Sequence, residues 1–480
     1  MLRSLLALGA AIGLVGCNTG DGTESDAPAL PNVSGSTNSG AVAGTSDGSN
    51  TASTPAKTTL ASQPAPAAPD VLAVKSPRAG ATWAVGSLHW IAWDGISSDA
   101  EIKVTFDGGT TWWWTHTEPA TIYVPNTQRR HLWRVPPMPA GTTARFRAVT
   151  PANVESADVS ITIVPSQAAS YTWQSIVEPD AALTHRDGSA LEMFDNQLTL
   201  FGGWDRGAFE ISTTNQIWRS SDDRVTWTEA STAPWEARHS FPTAKLNGNL
   251  FVLGGDAIQG HYQPDVWTTA DGINWSNVLA AAPWGNRALH YAVAHANALW
   301  VMGGQTLPNW VSSPSPVTYY NDVWKSTDGV TWTLVLQNAP WPPRGAISGR
   351  AVFKNEIWVV GGGTYDTPDV PTRTLYSDAW SSADGVAWKQ HDDPPWFPRE
   401  YHNVAVFDDR LWVLAGYTWL DDMNHRDVWY TSDGENWYEL PGSQWEARHA
   451  GAVLSTAEGL WMMMGDCAST ELYRLSRSSP

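Results

Sequence analysis

Five arginines recur along the chain at Arg238, Arg287, Arg344, Arg399 and Arg448, with His239, His290, His402 and His449 beside them or three residues after. Guanidinium groups gathered on one face would focus positive potential on an anionic ligand, even though 29 Lys and Arg against 48 Asp and Glu leave a net charge of −19. The same arginines could instead each pair with a carboxylate of the local sequence, such as Glu236, Glu400 or Glu446. A second set of residues follows no spacing: Trp204, Tyr262, Trp310, Tyr365 and Trp419 stand among Asp and Arg side chains in segments of varied length. Aromatic faces beside acids suit a sugar, whose C–H faces stack while its hydroxyls hydrogen-bond, and they equally suit a protein hot spot. These ten residues are the candidate ligand contacts. Asp421, Asp422 and His425 could hold a metal, but the cluster is short and has no geometric partner. No metal site, cofactor or catalytic residue is assigned.

The two cysteines have different settings. Cys17 closes a short apolar segment that follows Arg3, too short to span a bilayer. The run Leu14-Val15-Gly16-Cys17 resembles the lipobox of bacterial lipoproteins. That resemblance implies a signal peptide over 1–16, a lipidated Cys17 as the mature N-terminus, and anchoring in the bacterial outer membrane on its periplasmic or cell-surface face. Asn18 is not the Asp that would suggest inner-membrane retention. Cys467 is left without a partner, and its surroundings, Met464-Gly465-Asp466, offer no basic group to make it reactive.

Residues 17–69 are mostly Ser, Thr, Gly, Ala, Pro, Asn and Asp, with almost no large apolar side chains to bury, and read as a disordered tether. Its end-to-end distance as a coil would be on the order of 40 Å. Over 70–167, strand-like runs such as His89-Trp90-Ile91-Ala92-Trp93, Thr121-Ile122-Tyr123-Val124 and Ala144-Arg145-Phe146-Arg147-Ala148-Val149 alternate with turn signals. They predict a small β-sandwich. The opening Ser76-Pro77 with Gly80, Trp83, Gly86, Trp90 and Trp93 resembles the immunoglobulin-like modules of surface proteins.

From 168 to 480 the chain repeats. Glycine pairs close similar runs, as in Phe251-Val252-Leu253-Gly254-Gly255 and Trp300-Val301-Met302-Gly303-Gly304. The closing positions 202, 254, 303, 361, 415 and 464 are separated by 52, 49, 58, 54 and 49 residues. Each run leads to an Asp-Val-Trp-like strand, an Asp-containing turn and a second Trp, at 227, 275, 332, 388 and 437. This pattern resembles the kelch repeat of β-propellers. It implies an all-β chain with a six-bladed kelch-type propeller behind the Ig-like sandwich. The last repeat lacks a fourth strand, and Tyr171-Thr172-Trp173-Gln174-Ser175-Ile176 is predicted to supply it.

The 30 tryptophans and a charged fraction of only 16% argue against disorder, a coiled coil and nucleic-acid binding. Thr105 to Trp112 and Ser220 to Trp227 match the Asp-box pattern found in sialidases, but such boxes are hairpin turns remote from catalysis. A galactose-oxidase-type copper site would need a Cys–Tyr link, and Cys467 has no His nearby. The expected function is that of a monomeric, surface-anchored lipoprotein that binds a glycan or protein partner on its loop-rich face. The alternative is a sugar mutarotase-like enzyme resembling the kelch sialic-acid mutarotases, using Arg399, Glu400 and His402 at the channel mouth.

Overall fold

A computed structural model describes residues 71–95, 100–115, 129–177, 183–205, 212–221, 224–257, 261–306, 318–345, 351–364, 374–419, 422–443, 445–465 and 470–478. The signal peptide, Cys17, the tether, the strand expected at 121–124, Trp310, Tyr365, Asp421 and Cys467 lie outside them. The described residues are all-β and form no helix.

Six four-stranded antiparallel sheets follow one another along the repeat region. Sheet 1 runs Ala190–Phe194, Gln197–Phe201, Gln216–Ser220 and Trp227–Thr232. Sheet 2 begins at Thr243–Leu246, sheet 3 at Tyr291–His295, sheet 4 at Val352–Phe353, sheet 5 at Asn403–Phe407 and sheet 6 at Ala452–Thr456. In sheets 1 to 5 the tight turns between first and second strands place both central residues at positive φ, as at Asp195-Asn196 and Asp408-Asp409, which matches the twist of the flanking strands. Sheet 6 takes its outer strand from the start of the region: Tyr171–Val177 pairs antiparallel with Leu472–Arg477, and Trp173 lies opposite Leu475. The expected fourth strand is in place.

Burial explains the tryptophan content. An indole three residues before each recurring arginine packs edge-on against the indole of its sheet's fourth strand: Trp235 on Trp275, Trp284 on Trp332, Trp341 on Trp388 and Trp396 on Trp437. In sheet 6 the pair is Trp445 and Trp173, with ring centres 4.1 Å apart at 90°. Six apolar clusters lie between sheets, joining 1 to 2, 2 to 3, 3 to 4, 4 to 5, 5 to 6, and 6 to 1. First strands of sheets 2 and 3, 3 and 4, 5 and 6, and 6 and 1 lie side by side.

The N-terminal module packs two sheets on a core of Trp83, Trp93, Ile102, Trp133, Phe146 and Ile161. One of its pairs, Thr82–Ala84 with Val159–Val164, is parallel. Its other sheet runs on into sheet 5, because Leu88 pairs with Trp437. The junction is specific. Asn436 Oδ1 accepts the Ala84 amide at 2.7 Å, and the Trp90 indole N–H donates to the Pro394 carbonyl at 2.7 Å. The Tyr438 hydroxyl accepts the Gln167 amide at 2.9 Å. Leu88, Trp90 and Leu132 complete the apolar cluster between sheets 4 and 5. All described residues belong to one compact unit.

Trp173 is 3% exposed and holds both ends of the repeat region in one sheet. Trp173→Ala is expected to lower unfolding free energy by about 3–5 kcal/mol. Trp113→Ala, at an indole 52% exposed, should change it by less than about 0.5 kcal/mol. Urea denaturation of both variants checks this, and equal losses would contradict the packing account.

Candidate functional site

The recurring arginines are buried, and four of them are carboxylate-paired. Arg238, Arg287, Arg344 and Arg399 reach Asp265, Asp322, Asp378 and Asp427, with Nη2–Oδ2 distances of 2.9, 3.0, 2.8 and 2.9 Å. Their side chains are 0–2% exposed. Each also donates to the carbonyl of the first residue in the Gly-Gly position: Gly254, Gly303, Gly361 or Ala415. Each Asp begins the third strand and takes a further hydrogen bond from the following indole, as from Trp324 to Asp322 at 2.7 Å. The guanidinium thus fastens the connection before a sheet's first strand to the end of its second and the start of its third. Arg448 is also fully buried and donates to the Met464 and Glu446 carbonyls. This corrects the expectation that Arg238, Arg287, Arg344, Arg399 and Arg448 offer charge to a ligand: their charge is spent inside their own sheets. In four of them the partner is an Asp two strands on, rather than Glu236 or Glu400.

A sixth arginine, Arg186, belongs to the set and was not among the sequence candidates. It is 1% exposed and donates to the Gly202 carbonyl at 3.3 Å and to Gln216 Oε1 at 3.1 Å, so Gln216 replaces the Asp. The tryptophan that marks the other five is Leu183 here. The spacing to Gly188 and the first strand was the available signal.

Two residues beyond the arginine, the backbone turns left-handed: φ is 59° at Gly188, 52° at Ser240, 53° at Leu289, 55° at Tyr401 and 50° at Ala450. This turn lets neighbouring sheets bond along the inner wall. Ser240 N–H donates to Gly188 O, Leu289 to Ser240, Ala450 to Tyr401, and Gly188 to Ala450. A cavity runs beside these residues and is lined also by Ser189, Thr243, His290, Asn403 and Gly451.

After each arginine stands one residue whose type varies among the sheets. These are Asp187, His239, Ala288, Gly345, Glu400 and His449. Five of them pair through their backbone with a residue of the segment after the second strand: Asp187 with Trp204, His239 with Asp256, Ala288 with Gln305, Gly345 with Gly363 and Glu400 with Tyr417. Asp256 in turn bridges Tyr262. Tyr401 packs with Tyr262 and Leu289, and burial, then Asp187, Tyr262 and Tyr319, hold its hydroxyl well above the usual value. The Trp204 ring lies 5.2 Å from His239, and Tyr401 and Tyr417 lie 5.1 and 5.4 Å from His449.

This mouth gathers Trp204 and Tyr262 of the sequence candidates and Glu400 of the enzyme alternative, and adds Asp187, Asp256, Gln305 and Tyr401. Trp419 is half-buried in the sheet-5 hairpin segment. Asp422 accepts the Tyr417 hydroxyl at 2.6 Å, and His425 bonds Thr418 at 2.7 Å. Arg399 is tied to Asp427, and His402 Nε2 bonds the Val360 carbonyl at 2.9 Å, so neither side chain turns toward the mouth.

The Asp turns are structural. In Ser326-Thr327-Asp328-Gly329, Asp328 Oδ1 accepts the Val330 and Thr331 amides at 2.8 and 2.7 Å, which holds its carboxyl below the usual range. Asp271 and Asp384 are built alike. At Gly385 a Cβ would lie 2.4 Å from the Trp300 ring of the preceding sheet.

No known protein-family profile matches the chain. A segment of 162 residues, 32% of the chain, is 27% identical to the leucine-zipper-like transcriptional regulator 1 homolog of Drosophila melanogaster. The match spans only 15% of that protein's length.

Burial lowers three imidazoles, His89 to about 3 and His239 and His402 to about 4. They stay neutral in the fold but protonate near pH 6.5 once unfolded. The unfolded chain therefore binds more protons between those values, and stability rises with pH across that window. Urea midpoints are expected to fall as pH drops from about 6.5 to 4 and to fall further below about 4, where the unfolded chain protonates Asp271, Asp328 and Asp384 while the fold still holds them ionised. A midpoint flat down to pH 4 would contradict the neutral imidazoles.

Proposed function

We propose that the six sheets close into a six-bladed kelch-type propeller, held to the bacterial outer membrane by a lipid on Cys17, and that its mouth binds a glycan. Three features support closure: the strand Tyr171–Val177 completing sheet 6, the apolar cluster shared by sheets 6 and 1, and the inner-wall bond from Gly188 to Ala450. The binding reading is carried by one observation. Directly after the arginine of every sheet the residue type varies, and in the five sheets where the next residue is described that residue takes the left-handed turn. Such a position is free of the scaffold's demands, and rigid flanks hold it for recognition.

A glycan fits what is gathered there. Trp204, Tyr401 and Tyr417 offer faces for C–H stacking, and Asp187, Asp256 and Gln305 offer acceptors to hydroxyls. The tether would let a lipid-held propeller stand clear of the headgroups.

A panel of immobilised glycans probed with the whole protein tests the site. Retention on at least one glycan is expected, with a loss of about tenfold or more in affinity for Trp204→Ala and no change for Trp113→Ala. An unaffected Trp204→Ala variant would place the site elsewhere. Cys17→Ser is expected to move the protein from the membrane fraction to the soluble one, and continued membrane retention would refute the lipid anchor.

A further inference from the structure

We propose that the cavity where the N-terminal module meets sheet 5 binds a small, neutral phenol, with the ring among its indoles and the hydroxyl on Glu439. The site is separate from the mouth and does not rest on the glycan reading.

The first argument is size and shape. Trp90 and Leu132 come from the module, and Pro395, Trp396, Phe397 and Trp429 from the repeat region, so neither part alone builds the cavity. Its volume is about 170 Å³. An apolar cavity of about 150 Å³ takes one benzene ring. Trp90, Leu132, Trp396 and Trp429 are each 2–4% exposed. Packing from outside holds them: the Trp396 ring lies 4.7 Å from Trp437 at 86°, and the Arg130 guanidinium lies 4.3 Å from the Trp90 ring centre. The walls are therefore formed before a ligand arrives. Phe397 differs from them at 49% exposed, which gives the cavity an apolar lip. A junction between two folded parts, lined by aromatic rings and a few polar groups, is a common setting for a small-molecule site.

The second argument is which polar groups remain open. Asp427 accepts two guanidinium bonds from Arg399 and the Trp429 indole N–H, and the Trp90 indole N–H goes to the Pro394 carbonyl. His425, also at the cavity, bonds the Thr418 hydroxyl. Glu439 is different. Burial raises its carboxyl above the usual range and Asp427 adds to this, while Arg134 and Arg399 oppose it; none of these influences is a hydrogen bond. Glu439 lies directly opposite Trp429 on the neighbouring strand, so both side chains stand on one face of the sheet. A ring laid against Trp429 would bring an edge hydroxyl to that carboxylate, and an O–H donated to a carboxylate is among the stronger hydrogen bonds. A sugar of the same size would bury several hydroxyls against one open acceptor and leave the rest unpaired.

The third argument is charge. Arg399 offsets Asp427, and Arg134, which also donates to the Gly86 carbonyl at 3.1 Å, offsets Glu439. With these charges balanced, a neutral ligand is favoured over an ammonium or a carboxylate, which would enter without a counter-charge.

Titration calorimetry of the whole protein at pH 7, where a phenol stays neutral, compares p-cresol, toluene, 4-methylbenzylamine and methyl β-glucoside. p-Cresol is expected to bind with a Kd of about 1 mM or below, and each of the other three about fivefold or more weakly. Glu439→Ala should bring p-cresol down to the affinity of toluene. Leu132→Phe, which fills the cavity, should abolish binding of both. Glu439 is exposed, so Glu439→Ala keeps the fold and decides the matter alone if Leu132→Phe lowers the melting temperature. The inference is overturned if p-cresol does not bind or binds no tighter than toluene, the amine or the glucoside. It is equally overturned if the p-cresol preference survives in Glu439→Ala.

Discussion

A buried arginine, paired with a carboxylate in four of the six sheets, sets the rest of the architecture. A charge taken out of water is tolerated only when it is matched and hydrogen-bonded. In four sheets the match is an Asp that also accepts an indole N–H, while the guanidinium caps the carbonyl at the end of the second strand. Three points of the chain meet at each pair. Once they are fixed, the next residues turn left-handed in the five sheets where they are described, and backbone bonds from that turn reach the neighbouring sheet. The mouth's geometry is a consequence of those fasteners rather than of the loops above it.

The arrangement separates holding from recognition over very short distances. Arg238 is fully buried and bonded, His239 faces the mouth segment, and Ser240 bonds the next sheet. Three consecutive residues therefore serve a sheet, a site and an inter-sheet contact. The site can vary while the scaffold does not. Sheets 3 and 4 place Ala288 and Gly345 at the mouth and leave space there, whereas sheets 1 and 5 place acids. The N-terminal module is fastened to sheet 5 through Asn436, a residue of an Asp turn, so a structural turn also serves as a docking point.

Much of the fold was legible because its causes are local and periodic. Gly-Gly strand ends, Asp turns and paired tryptophans recur at a fixed spacing, and each reports a backbone requirement. The swapped strand was legible because sheet 6 ran out of chain while Tyr171-Thr172-Trp173 matched the missing pattern. The role of the arginines was not. A sequence displays a charge without its partner, and Asp265 stands 27 residues from Arg238. Arg186 escaped notice because Leu183 replaces the marking tryptophan. The docking of Leu88 on Trp437 has no period at all, and neither do Gln305, Asn403 and Tyr401, whose importance comes from what surrounds them in space.

The separation of holding from binding is tested most directly at Arg344, by measuring unfolding free energy and glycan affinity on the same preparation of Arg344→Met. The account predicts a stability loss of about 3–5 kcal/mol from the stranded Asp378, with the affinity of the folded fraction unchanged. A variant with full stability and lost affinity would show that the arginine serves the ligand, and would contradict the account.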